Sequence, residues 1–120
     1  MDLQQLRDLG AFVPHEPVTK TVSWTRVADD GNELTDTFTV RIKKHSAGDM
    51  ERLWSDARAK PDRSHMAALI SASVLLGDEG DDRLTYDQAY ALDLGLAEAI
   101  LDAIDTVNPF KQKRGTPAKN

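Results

Sequence analysis

The strictest constraint in this chain is a stretch of period-two alternation across residues 18–42. Val18, Val22 and Trp24 share one parity, with threonines and Ser23 between them. Leu34, Phe38, Val40 and Ile42 then alternate with Thr35, Thr37, Thr39 and Arg41. Thr, Val and aromatics at period two suit half-buried strands. Asp29-Asp30-Gly31-Asn32 between them supplies turn chemistry, because Gly and Asn tolerate positive φ. The pattern predicts one antiparallel hairpin. Pairing Trp24 with Phe38 and Val22 with Val40 sets Arg26 opposite Asp36, a cross-strand ion pair. A lone hairpin is unstable in water, so its apolar face must lie on helices or on another chain.

The rest of the chain reads as helical. Asp2 caps a short helix over 2–9 with Leu3, Leu6 and Leu9 at helical spacing and Gly10 as its stop. Two turns are marginal alone, so this helix is expected to dock on something. Pro14 and Pro17 make the following segment an extended linker. A helix over about 48–60 carries Met50, Leu53, Trp54 and Ala57 on one side, with Pro61 past its end. Ser64 caps a third, over 64–76, ending at Gly77. Residues 77–82 form an acidic loop. Thr85 with Gln88 matches a capping box that opens 85–107, either one helix or a short helix, a break near Asp93 and Gly95, and a longer helix. The apolar face of 85–107 is wide, which implies deep packing or a partner.

The expectation is thus an α+β fold, mainly helical, with one N-terminal hairpin packed on a small helical cluster. Its 120 residues suit a single domain over 1–108, followed by a disordered basic tail, 109–120. That tail holds four of the 15 basic residues and none of the 20 acidic ones, leaving the body with 11 against 20, a net −9. The whole chain is −5, which disfavours nucleic acid as the main partner. There are no cysteines, so disulfides and thiolate chemistry are excluded. The chain starts with no signal-peptide pattern, and its longest apolar run, Val74-Leu75-Leu76, is far short of the ~20 residues a membrane span needs.

No motif of catalysis emerges. His15, His45 and His65 lack the i, i+4 spacing of a helical metal pair, and isolated histidines are the stronger reading. Asp78-Glu79-Gly80-Asp81-Asp82 lacks the EF-hand register and reads as a solvated connection. There is no GxSxG, SxxK, GxGxxG or Walker loop. No catalytic, cofactor or metal residue is assigned, and the chain is not expected to be an enzyme. The large anchors are more informative. Trp24 and Trp54 suit either core or contact with another chain. Trp24, Phe38, Leu96 and Leu101 are the candidates for self-association, since the hairpin has open edges and the last helices carry more apolar surface than one face needs.

The segment Leu84-Thr85-Tyr86-Asp87-Gln88-Ala89-Tyr90-Ala91-Leu92, the run Leu96 to Asn108, and the Asn-Pro-Phe exit into a basic tail go with a short first helix and a Thr-rich hairpin. Over roughly residues 15–108 this chain resembles the tail assembly chaperones of long-tailed bacteriophages. The resemblance implies an assembly factor in the host cytoplasm, absent from the mature virion. It implies that the chain coats the helical, aggregation-prone tape measure protein and helps bring tail tube protein to it. In many members it also implies a longer form made by −1 frameshifting; homo-oligomers are expected from the open hairpin edges and wide helix faces, and no nucleic-acid or membrane partner is expected from the acidic balance and the short apolar runs. Ala118-Lys119-Asn120 permits the slippery codons A-AAA-AAC, as a chance Lys-Asn pair also would. The alternative is a small phage structural protein, such as a head–tail connector or tail completion protein.

Overall fold

Alternation along the hairpin sorts its side chains onto two unlike faces, and the rest of the architecture covers one of them. The computed structural model describes residues 1–109. Strands β1 (Val18–Val27) and β2 (Glu33–Ile42) pair antiparallel, with Val22 opposite Phe38 and Trp24 opposite Asp36. The turn closes through the Ala28 N–H donating to the Asn32 carbonyl at 2.8 Å. Gly31 sits there at φ 87, a left-handed conformation that glycine adopts without strain. The Asp30 carboxylate accepts the Asn32 backbone N–H at 3.0 Å. One face is a hydroxyl ladder, Ser23 to Thr37 at 3.2 Å and Thr25 to Thr35 at 2.8 Å, open to solvent. The other face buries Val22, Val40 and Ile42.

The register is offset by two residues from the pairing that sequence suggests. Trp24 does not face Phe38, and Val22 does not face Val40. A two-residue offset preserves which face each side chain occupies, so the burial pattern is unchanged. The expected ion pair also persists, as a diagonal contact: Arg26 Nη2 donates to Asp36 Oδ2 at 2.7 Å. Arginine is long enough to reach a diagonal neighbour.

The hairpin is half of a larger sheet. Helix α1 (Leu3–Asp8) precedes it, and α2 (Ala47–Ala59) and α3 (His65–Ser73) follow it. The third helix was expected to run to 76, but it stops at Ser73. Strand β3 (Val74–Leu76) pairs with β2, Ile42 opposite Val74, and β4 (Asp82–Arg83) pairs with β3. The sheet order is β1-β2-β3-β4, all antiparallel. Val74 and Leu76 fit a helical spacing locally. The open edge of β2 decides otherwise: it offers unpaired backbone groups that β3 satisfies, and the Lys43 N–H donates to the Ser73 carbonyl at 2.8 Å as the ladder begins. The acidic loop folds back over the outer face. There Arg41 donates to the Asp78 carbonyl at 3.0 Å and crosses Gly80 so closely that a Cβ would meet its guanidinium at 3.1 Å.

Residues 85–107 form two helices. Helix α4 (Tyr86–Tyr90) opens with the Thr85–Gln88 capping box, and α5 (Leu94–Val107) opens at Asp93, whose carboxylate accepts the Leu96 N–H. Two good caps in succession impose the break. Helix α5 lies across β1 and β2, bringing Ala97, Ile100, Ala103, Ile104 and Val107 into the core. Ala67 and Ile70 of α3, Val74 and Ala89 complete it. The basic segment expected at 109–120 falls outside the described residues from 110 onward.

The far end of α5 is tied to the sheet by polar groups. Asn108 accepts the His45 backbone N–H at 2.9 Å and donates to the Lys43 carbonyl at 3.0 Å. The His45 ring Nε2 meets the fully buried Ser73 hydroxyl at 2.8 Å. Burial, and then the nearby Lys43 charge, lower the His45 pKa below 6.5, with Asp49 opposing them.

Two measurements follow from this core. Ile104 is fully buried, so Ile104→Ala is expected to lower the urea-unfolding free energy by about 2–5 kcal/mol. A loss under about 1 kcal/mol would show that α5 is not seated on the sheet as described. The lowered His45 pKa means that the unfolded chain binds this proton more readily than the folded one. Its contribution is therefore complete above pH 6.5 and is lost as pH falls toward the lowered value. His45→Gln is expected to flatten the drop in stability below pH 6.5; an unchanged pH slope would contradict the burial of this ring.

Candidate partner-binding surface

Helices α2 and α3 leave a coherent apolar surface open between them. Ser46 caps α2, accepting the Asp49 N–H at 3.0 Å, and the 3.6-residue period then sets Met50, Leu53, Trp54 and Ala57 along one side. No residue of α2 is buried. Trp54 is 52% exposed, unusual for an indole on an apolar stripe. Ser64 caps α3, and its own N–H donates to the Tyr86 hydroxyl at 2.8 Å. Arg63 stacks over the Tyr86 ring at 4.2 Å, which fixes where α3 begins. The inner side of α3, Ala67 and Ile70, enters the core, so Ala68 and Leu69 turn toward α2.

Between these helices lies a groove of about 400 Å³ lined by Met50, Leu53, Trp54, Ala57, Ala68 and Leu69. Its remaining lining residues are Arg58 and His65, so no carboxylate lines it although the chain as a whole is −5. A second depression, about 380 Å³, lies on the other side of Trp54, against Val107, Asn108 and Pro109. Trp54 thus stands as a ridge between two hollows. The arrangement is an apolar trough with a cationic end, a shape that takes one face of a helix.

The four residues singled out for self-association lie elsewhere. Trp24 is half-buried and donates its indole N–H to Asp93 Oδ2 at 3.0 Å. The same oxygen accepts the Leu96 N–H at 3.1 Å. These two donors, the Leu96 amide first, hold the Asp93 carboxyl below its usual range. The Arg26 guanidinium lies 4.1 Å over the Trp24 ring while it binds Asp36. Trp24 and Leu96 are thereby brought together at the start of α5. Phe38, Leu96 and Leu101 are half-buried and pack against the core. Each keeps a margin of exposed apolar surface.

Helix α1 is the other uncovered element. It was expected to dock, yet none of its residues is buried: Leu3 is 58%, Leu6 38% and Leu9 72% exposed, with Phe12 at 51% beyond them. The α2 stripe and the α1 leucines were both visible in the sequence as helical periodicity. Periodicity reports that a face is apolar, not whether the fold covers it, so the groove could not be read from it. Among the described residues no group of three or more His, Asp or Glu side chains is placed to hold a metal ion, and no helix is long and apolar enough to cross a membrane.

Comparison with known proteins gives one result. No curated protein and no solved structure matches the chain. A family model described as phage tail assembly chaperone, TAC, matches residues 4–108, which takes in the hairpin, the α2–α3 groove and all of α5. With that much of its 120 residues matched, the chain belongs to the phage tail assembly chaperone family.

Proposed function

We propose that this chain binds the tape measure protein during tail assembly and keeps it soluble, using the α2–α3 groove as the seat for one of its helices. The observation that supports this reading is the open groove itself, with Trp54 half out of it on an otherwise ordinary apolar stripe. A long helical client exposes apolar stripes that aggregate in water. A trough lined by Met50, Leu53, Trp54 and Leu69 removes such a stripe from solvent, and several copies along the client protect successive turns.

In the same reading residues 1–108 act as one domain in the host cytoplasm and leave before the virion is complete. A longer product, made by a −1 slip at the codons for Lys119 and Asn120, carries a second domain that brings tail tube protein to the coated client. Copies of the chain associate, and the exposed margins of Trp24, Phe38, Leu96 and Leu101 are one set of contacts they offer. The family is one of assembly proteins, and the role needs no catalytic group.

Co-expression with the tape measure protein tests the groove. The wild-type chain is expected to raise the soluble yield of the client and to co-purify with it. Trp54→Glu is expected to abolish both while leaving the thermal melt of the chaperone nearly unchanged, because substitutions at exposed positions typically change stability by about 0.5 kcal/mol or less. Wild-type yield of soluble client with Trp54→Glu would remove the groove from this role.

A further inference from the structure

We propose that Arg63 and Arg83 form an anchor for a carboxylate of the client helix, an Asp or Glu one or two turns from its apolar stripe, and that this anchor fixes which way the helix lies. The proposal rests on the reading that the α2–α3 groove seats a client helix, and it adds what that groove selects. It starts from a second cavity. About 270 Å³ in volume, this cavity adjoins the groove and shares Leu53, Ala57, His65 and Ala68 with it. Past those shared residues the lining turns from apolar to cationic, with Arg63 and Arg83 in place of Met50, Trp54 and Leu69.

The polar groups of this cavity are not equally free. The Ser64 hydroxyl accepts the Ala67 N–H at 3.1 Å, and the Ser71 hydroxyl donates to the Leu84 carbonyl at 2.9 Å, so both already serve the fold. The guanidinium groups keep their hydrogen-bonding capacity. Arg63 lies 4.2 Å over the Tyr86 ring, which holds it in place, yet its Nε is buried with no hydrogen-bond partner. Arg83 is exposed at the end of β4. The carboxylate in the lining, Asp56 of α2, pairs with neither arginine. The chain has 20 acidic side chains, and among the described residues these two cations stand without one.

A carboxylate suits a pair of guanidinium groups, because it accepts their N–H groups in matched pairs. The continuity of the two cavities means that apolar stripe and carboxylate belong to one ligand. On a helix, one or two turns span ~5–11 Å, the step from an apolar stripe in the groove to the neighbouring cavity. Apolar contact has no direction, so the groove alone takes a helix in either sense and lets it slip by a turn. A charge held at one end removes both freedoms. Where several copies sit along one client, the anchor gives each a defined place.

Overlapping peptides of about 20 residues from the tape measure protein, titrated against the full chain by fluorescence anisotropy, test the anchor. Those that bind are expected to carry Asp or Glu one or two turns from an apolar stripe. Replacing that residue by Asn or Gln is expected to weaken binding roughly 10-fold. Arg83→Gln is expected to cost as much with the unchanged peptide and little more with the neutral one, so the two losses overlap and do not add. Arg63→Gln is expected to act in the same way. It also removes the stacking on Tyr86, so Arg83→Gln, at an exposed position, carries the comparison. Peptides that lose binding on Trp54→Glu but bind both arginine variants at wild-type strength overturn the anchor and leave the groove standing, as do neutral peptides that bind as tightly as acidic ones. Binding that survives Trp54→Glu, or no peptide bound at all, overturns the groove reading and the anchor with it.

Discussion

Everything in this fold depends on covering the single apolar face of the β1–β2 hairpin. Val22, Val40 and Ile42 must leave water together, because they lie on one side of one pleated surface. Helix α5 provides the cover and is held at both ends by polar groups. At its start Asp93 serves as helix cap and as acceptor for the Trp24 indole of β1. At its end Asn108 binds the backbone on both sides of Lys44, just past β2. Apolar burial supplies most of the driving force but no direction. The two polar ties fix the angle and the register of helix against sheet, since a buried or half-buried polar group left unpaired is costly.

That solution uses up α3, α4 and α5 and leaves α1 and α2 with apolar stripes in water. A monomer built only for stability would bury Trp54 and the leucines of α1, or would not carry them. In a phage tail assembly chaperone, the α2 stripe fits the partner contacts proposed above. The acidic balance of the chain fits this economy, since net charge limits indiscriminate association while apolar contacts stay available. The groove, free of carboxylates, is the local exception.

Much of this was legible in the amino-acid sequence, and the misses have physical reasons. The hairpin and its faces follow from period two, which any two-residue offset preserves. The register itself was not legible, because Trp24–Phe38 and Trp24–Asp36 pairings put the same residues inside. Ser64 and Thr85 marked true helix starts, since a cap is a local interaction between residues three apart. The end of α3 was misplaced because Val74-Leu75-Leu76 satisfies helix and strand alike over three residues. Of the candidate contact residues, Trp24 and Leu96 carried no sign that Asp93 would join them, for that bond spans 69 positions.

The sequence by itself determined the α+β content, the inner and outer faces of the hairpin, the helix starts and the lack of any catalytic motif. All of these rest on interactions within a few residues of one another. Tertiary structure alone decided that Val74–Leu76 extends the sheet, that α5 is pinned through Trp24 and Asn108, and that the stripes of α1 and α2 stay uncovered. The reason is that coverage is a competition. Each helix presents an apolar face in its sequence, but the sheet has one inner face, and which helices reach it depends on where the chain brings them.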